Sequence, residues 1–378
     1  MENFLGKFLK EKFDLMQTEP NVVGIDIGSS FLKVVQLKKK KGKAVLETYG
    51  ELALGPYAGL AVGQATNLSV EKISTAIKDL FREANVTAQS SAVSIPLGAS
   101  LLSIMEMPIM DSKQLARMIP IEARKYIPVP ISEVVLDWWV VPKHYDSVED
   151  SSADGSTKED ERKKRIDVLV VAIHNETVDK YRSIIQESGL KNNFLELEVF
   201  SMARATFGNN TAPMILLDFG AGTTKLAIVE YGIIRNQHII NRGSQDITIS
   251  ISKSLGVSIE KAEHLKRDIG LTGTGTDANI SKTASLILEH IFSETNRVLL
   301  NYQRKYNKTI KNVVLTGGGA LLKGLHDFAG SNLEIEVLFA DPFSKVEAPA
   351  FLEPLLKDAG PEFAVAIGLA LRKLQELG

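Results

Sequence analysis

The sequence predicts an α/β protein built from two similar halves, with a small third unit inserted in the first. Three observations carry that prediction. Residues 22–35 and 215–228 share one pattern: an apolar strand, an Asp, a Gly-containing turn with small hydroxyl residues, and a second apolar strand. Asp26 to Asp218 and Lys33 to Lys225 are both offsets of 192 residues (218 minus 26, 225 minus 33), so the copies align without a gap. Strand and helix patterns alternate around both copies except over residues 97–175, which read strand, helix, strand, strand.

Composition bounds what such a chain can do. With 378 residues it is long enough for two or three domains, each with its own core. The 44% hydrophobic and 24% charged content are those of a soluble globular protein. A net charge of −2 excludes a general nucleic-acid surface, which needs a basic excess. There is no cysteine, which rules out disulfides, thiolate zinc sites and cysteine nucleophiles and fits a cytoplasmic protein. No apolar run reaches the roughly 20 residues of a membrane span.

In chain order, residues 1–20 read as a short amphipathic helix, with Phe4, Leu5, Phe8, Leu9, Leu15 and Met16 on one side. Residues 1–16 would suit a membrane surface, a partner or the chain's own body. Strands follow on either side of the first Gly turn, with a basic hairpin tip at residues 38–43 and a further strand over 44–54. Residues 69–84 form an amphipathic helix with Ser69 as its cap and Ile73, Ile77, Leu80 and Phe81 on its buried side. A strand over 92–95 ends at Pro96.

The inserted unit has strands at 100–107, 134–141 and 166–173 and a helix over 111–126, kinked at Pro120. The polar stretch 146–165 reads as a loop. Trp138 and Trp139 should face opposite sides of their strand, the outward one meeting either a partner protein or the neighbouring unit. The alternation resumes with a helix at 177–188, a strand at 194–199 and a helix at 201–207. The second copy is followed by helices at 247–255 and 259–268, a Gly- and Thr-rich loop at 269–279 and a long helix at 284–306. A strand at 312–316 meets Gly317-Gly318-Gly319, a helix follows from Leu321, and an apolar helix at 362–377 closes the chain.

The paired turns have readable chemistry. Gly28, Gly220 and Gly222 let backbone N–H groups approach a ligand, and Ser29, Ser30, Thr223 and Thr224 add hydroxyl donors, so each turn can form an anion nest. Asp26 and Asp218 stand at strand ends, where carboxylates can hold magnesium through water beside phosphates. A single copy would read as an ordinary hairpin turn; two gapless copies point to one shared site. The glycines at 317–319 remove every Cβ where a ring or a phosphate could lie against backbone. The six histidines have no ligand spacing and no nucleophile elbow occurs.

These motifs resemble the actin-like ATPase superfamily, a duplicated ribonuclease H-like fold shared with Hsp70. Asp26-Ile27-Gly28-Ser29-Ser30 is similar to its first phosphate motif, Asp218-Phe219-Gly220-Ala221-Gly222-Thr223-Thr224 to its second, and Thr316-Gly317-Gly318-Gly319-Ala320 to its adenosine motif. Ala262-Glu263-His264-Leu265-Lys266 resembles the ribose-contacting segment of bacterial actins. The strand–helix–strand–strand insert resembles that of the cell-division protein FtsA (an SHS2-type subdomain, 1C). Within that branch the phrases Arg124-Lys125-Tyr126-Ile127-Pro128 and Pro361-Glu362-Phe363-Ala364 are similar to the PilM family of type IV pilus assembly. The chain also ends with its last apolar helix, where FtsA would continue into a linker and a membrane-binding helix.

The resemblance implies a first half (1A) of residues 21–96 and 176–212 with 361–378, the insert at 97–175, and a second half (2A) of 213–360 with 244–310 as subdomain 2B. It implies ATP and Mg2+ between the halves. Asp26 and Asp218 would hold the metal, the turn residues would cradle phosphates with Lys33 reaching them, Glu263 and Lys266 would contact ribose, and Gly317, Gly318 and Gly319 would line the adenine site. Glu198 is the candidate for orienting a water; the Gln that does so in actin is missing from residues 196–200, so slow or absent hydrolysis is expected.

The implied role is a cytoplasmic scaffold at the inner face of the membrane. It would bind the N-terminal cytoplasmic tail of PilN and other pilus inner-membrane components, with peripheral membrane association through partners or residues 1–16. Self-assembly stays open, and so do an FtsA-like filament and, with no substrate-facing carboxylate identified, a small-molecule kinase.

Overall fold

The computed structural model describes residues 21–141, 165–208 and 212–377. The expected N-terminal helix and residues 146–164 lie outside the described residues. The first half opens with an antiparallel meander, β1 (Asn21–Ile27), β2 (Phe31–Lys40) and β3 (Lys43–Ala53), followed by α1 (Val70–Glu83) and β4 (Ser90–Ile95). The insert contributes β5 (Ser100–Pro108), α2 (Ser112–Ala123), β6 (Val134–Val141) and β7 (Arg165–His174). The chain then returns through α3 (Asn175–Ser188), β8 (Lys191–Leu197) and α4 (Glu198–Thr206).

The second half repeats the plan. A meander of β9 (Met214–Phe219), β10 (Thr224–Glu230) and β11 (Ile233–Ile240) leads into α5 (Ser244–Leu255), α6 (Ile259–Ile269) and α7 (Ala278–Tyr306). Then come β12 (Asn312–Thr316), α8 (Leu325–Leu333) and β13 (Glu336–Phe339), after which the closing helix α9 (Glu353–Glu376) returns to pack on the first sheet. The two five-stranded sheets have the same topology, β3-β2-β1-β4-β8 and β11-β10-β9-β12-β13. In each the meander is antiparallel and the next strands are parallel. Register makes the repeat concrete: Asp26 pairs with Lys33, and Asp218 pairs with Lys225.

The central strands are apolar on both faces because both faces are covered. Val22, Val23 and Ile25 are fully buried, as are Ile215, Leu216 and Leu217. One core gathers the first sheet with α1, α3, α4 and α9, a second gathers the second sheet with α5, α6, α7 and α8, and a third lies inside the insert. The insert sheet has the order β5-β7-β6 and is antiparallel. Trp138 joins the insert core, whereas Trp139 points the other way and meets Phe200 of α4 edge-on at 5.0 Å. That is the opposed arrangement expected of adjacent strand residues.

Several boundaries differ from the sequence expectations. β11 and β13 read as nothing in the sequence because the first is polar in its middle and the second spans four residues. The strand before Glu198 stops at Leu197, so Glu198 opens α4. The long α7 starts at Ala278, its first turn fastened by Ser281, whose hydroxyl takes a bond from Gly273 N and gives one to Gly270 O. The triple glycine itself runs into a 3-10 turn, Gly318–Leu321, before α8 begins. α2 carries Pro120 within a continuous helix, held at its start by a capping box of Asp111 and Gln114.

α9 begins well before residue 362 and contains Pro361. The Pro361 carbonyl accepts from Gly317 N and from the Thr316 hydroxyl, both at 2.8 Å, which fixes the helix to the triple-glycine turn. Two glycines let α9 approach: a Cβ at Gly24 would lie 2.0 Å from Ala366 O, and one at Gly368 would lie 1.9 Å from Ser201 O.

Candidate functional site

The end-to-end repeat places the two Gly turns across a cleft of about 340 Å³ between the halves. Each turn is closed the same way, Gly28 N bonding Phe31 O at 3.0 Å and Gly220 N bonding Thr223 O at 3.1 Å. Asp26, Gly28, Ser29, Ser30 and Lys33 line the cleft from one side and Asp218, Gly220 and Thr223 from the other. Glu263, Lys266, Gly317, Gly318, Gly319 and Glu198 line it as well. Two expected residues stand apart. Thr224 is fully buried in β10 and its hydroxyl donates to Arg242 O, while Gly222 faces the opposite turn, where a Cβ would meet Ser29 Oγ at 3.8 Å.

The carboxylates are held by neighbours that the strand ends bring together. Asp26 Oδ1 accepts from Ser94 Oγ of β4 at 2.9 Å. Burial, then the charge of Glu198, pushes the Asp26 carboxyl up to about 6, against the pull of Lys33, Lys225 and Ser94. Lys225, the second-half counterpart of Lys33, donates to Glu198 Oε2 at 2.8 Å and Asp218 Oδ2 at 3.2 Å. Burial disfavours its charge, but Glu198, Asp218 and Asp26 together hold the ammonium well above the usual lysine range. Both Glu198 oxygens are engaged, since Oε1 accepts the Leu97 N–H at 2.5 Å.

Lys33 is turned toward α9, donating to Glu362 Oε2 at 3.1 Å beside the Phe31 and Phe363 rings. At the outer end, Glu263 takes bonds from Thr248 Oγ1, Lys266 Nζ and Arg267 Nε at 2.7–2.8 Å. Burial alone would raise the Glu263 carboxyl, and these donors bring it below its ordinary value. The triple glycine is constrained partly by packing. Gly317 has φ +83, and a Cβ there would lie 2.2 Å from Asp218 Oδ1; one at Gly319 would lie 2.9 Å from Phe219.

Several lining or bridging residues went unread in the sequence, among them Arg267, Glu362, Gly63 and Gln245. Arg267 follows Glu263 by one helical turn, and that spacing could have flagged it. Glu362 sits next to Pro361 in α9. Gly63 and Gln245 carry no sequence signal, yet a Cβ at Gly63 would strike Glu263 at 2.8 Å, and Gln245 Oε1 accepts from Ala65 N at 3.0 Å. A first-half loop therefore reaches the second half at the mouth of the cleft.

Two duplicated sheets closing on a cleft with paired Asp and Gly turns define an actin-like ATPase fold. MreB5 of Spiroplasma citri, solved bound to ADP, shares it with a TM-score of 0.53 at 12% identity, over 95% of this chain and 99% of that one. The chain belongs to the family of the type IV pilus assembly protein PilM, whose model matches residues 24–374. A structure titled PilM-PilN type IV pilus biogenesis complex aligns with a TM-score of 0.76 and 25% identity, over 95% of this chain and 99% of that one. The cell division protein FtsA of Neisseria meningitidis serogroup B is 26% identical over 351 residues, 84% of this chain and 82% of its own.

Proposed function

We propose that the chain is a nucleotide-dependent scaffold of type IV pilus assembly, binding ATP with Mg2+ in the cleft and the N-terminal tail of PilN near the insert. The observation that carries the nucleotide reading is the cleft itself: two Gly turns of the same closed geometry face each other, each with an Asp at its strand end. The residues fit the group. Asp26 is a half-buried carboxylate that a divalent cation would stabilise in its charged form, and Asp218 lines the same space.

Ser29, Ser30, Gly28, Gly220 and Thr223 would cradle phosphates, and Lys33 would reach them by leaving Glu362. Glu263 and Lys266 would take the ribose and the triple glycine the base. Slow or absent hydrolysis is supported by Glu198, whose two oxygens already hold other donors. The PilN reading rests on the family and on the complex that the fold matches. The same family and complex support work at the cytoplasmic face of the membrane; among the described residues no helix is long and apolar enough to cross one.

The test pairs titration of ATP and MgCl2 with capture of a PilN-tail peptide, using wild type and Asp218→Ala. The variant should lose ATP binding, and the peptide should bind wild type with an affinity that changes on adding ATP. Unchanged ATP affinity in the variant would remove Asp218 from the site. The FtsA relationship favours a second reading, filament assembly, and sedimentation with ATP as protein concentration rises separates the two.

A further inference from the structure

Glu198 lies where three bodies meet. Its backbone opens α4 of the first half. Its Oε2 holds Lys225 of the second half at 2.8 Å, and Lys225 in turn holds Asp218. Its Oε1 holds the backbone N–H of Leu97, three residues before β5 begins the insert, at 2.5 Å. Two residues along α4, Phe200 packs on Trp139 of β6. The first turn of α4 thus touches the insert at its entry, by Leu97, and on β6, by Trp139, while its leading side chain is bonded into the cleft.

We propose that Glu198 is a positioning residue that couples the nucleotide cleft to the orientation of the inserted subdomain. The physical reason is that neither bond can be given up freely. Glu198 and the Leu97 side chain are buried, so an amide or carboxylate left without its partner there has no water to replace it. Lys225 is shared between Asp218 and Glu198. A ligand that engages Asp218 weakens one of the two bonds on Lys225, and any movement of the second half carries the ammonium with it. Glu198 must follow Lys225 or release it, and in either case the Leu97 N–H and the neighbouring Phe200–Trp139 contact are disturbed. Asp167 of β7 adds a second tie between insert and second half, standing 3.8 Å from Arg235 of β11.

This inference rests on the nucleotide reading, and its test separates the two. The chain has two tryptophans, both on β6, so Trp138→Phe leaves Trp139 as the sole reporter of the insert's contact with α4. In that background, saturating ADP or AMPPNP with MgCl2 should change Trp139 emission, and Glu198→Gln should abolish the change at saturating nucleotide. A change that persists in Glu198→Gln and Glu198→Ala overturns the coupling. Nucleotide binding to the parent with no Trp139 response overturns it too and leaves the nucleotide reading standing. No binding at all overturns the nucleotide reading instead.

Hydrogen exchange without nucleotide then decides the link to Leu97. Glu198→Ala should speed exchange of the Leu97 amide by at least about tenfold, since the lost hydrogen bond is one to a charged carboxylate and its loss opens the amide locally. Glu198→Gln, which keeps a carbonyl oxygen for that amide, should preserve the protection. Equal exchange in wild type and Glu198→Ala would overturn the link. For the PilN-tail peptide, ATP should change wild-type affinity by about 5-fold or more, the lower end of ordinary coupling energies, and by less than 2-fold in Glu198→Gln. Equal ratios in the two proteins would sink the assignment.

Discussion

Asp218 lies in a network with Lys225 and Glu198, so removing it should act twice. Asp218→Ala should abolish Mg-dependent nucleotide binding by titration and also leave Lys225 to Glu198 alone. Asp218→Asn, which keeps a hydrogen-bond acceptor for Lys225, should lose metal dependence with little change in unfolding free energy. A second residue-scale case is Glu196, which is buried and takes two bonds from Arg204 at 2.6 and 2.8 Å, one from Arg372 at 2.5 Å and one from Ser201 at 2.6 Å. Burial pushes its carboxyl up, but Arg204, Ser201 and Arg372 together hold it below the ordinary value of 4.5. A depressed acid stabilises the fold above that ordinary value, and the contribution is lost as pH falls through the lower folded-state value. Glu196→Gln should cost about 2 kcal/mol in denaturant unfolding at neutral pH, as weakening hydrogen bonds to a charged group does, since the arginines left behind are partly exposed. Its stability should then fall less steeply than that of wild type in acid. Equal acid slopes would show that Glu196 does not govern that limb.

At the scale of elements, α9 is the piece on which the first half closes. Gly24 and Gly368 sit where backbone meets backbone, so added carbon has nowhere to go. Gly368→Val should destabilise by about 3 kcal/mol or more, at or beyond the upper end of ordinary overpacking, because the obstacle is a main-chain carbonyl and no rotamer relieves it. A chemical-denaturation midpoint equal to wild type would show that α9 can shift outward at no cost. The same helix carries Glu362 onto Lys33 and the Pro361 carbonyl onto Gly317. Displacing it should therefore weaken nucleotide affinity as well as stability, whereas Gly42→Ala at the exposed β2–β3 turn should leave the cleft unchanged.

For the whole molecule, the proposed nucleotide binding should register as added stability. Saturating Mg-ATP at about one hundred times its dissociation constant should add about 2.7 kcal/mol to unfolding, and nothing in Asp218→Ala. How much of this was legible in the chain differs by level. The repeat was legible because a 192-residue offset preserves strand, Asp, turn and Lys together, and those positions map onto equivalent strands of sheets with one topology. The insert was legible because its strand–helix–strand–strand order breaks the alternation. The lining of the cleft was legible wherever a motif carried it: Asp26, Asp218, Glu263 and the triple glycine. By itself, then, the sequence determined the duplicated class and the part of the cleft that its motifs carry, since period, Gly placement and repeat offset are local properties of a chain.

Only the tertiary structure decided the rest. It put Gln245 against Ala65, Gly63 against Glu263, Lys33 on Glu362, and Glu198 between Lys225 and Leu97. Those partners lie from 27 to 329 residues apart, the extremes being Glu198 with Lys225 and Lys33 with Glu362. No local preference of the backbone encodes which of several buried carboxylates a lysine will face. That is settled when the two halves pack and each buried charge takes the partner that packing leaves within reach.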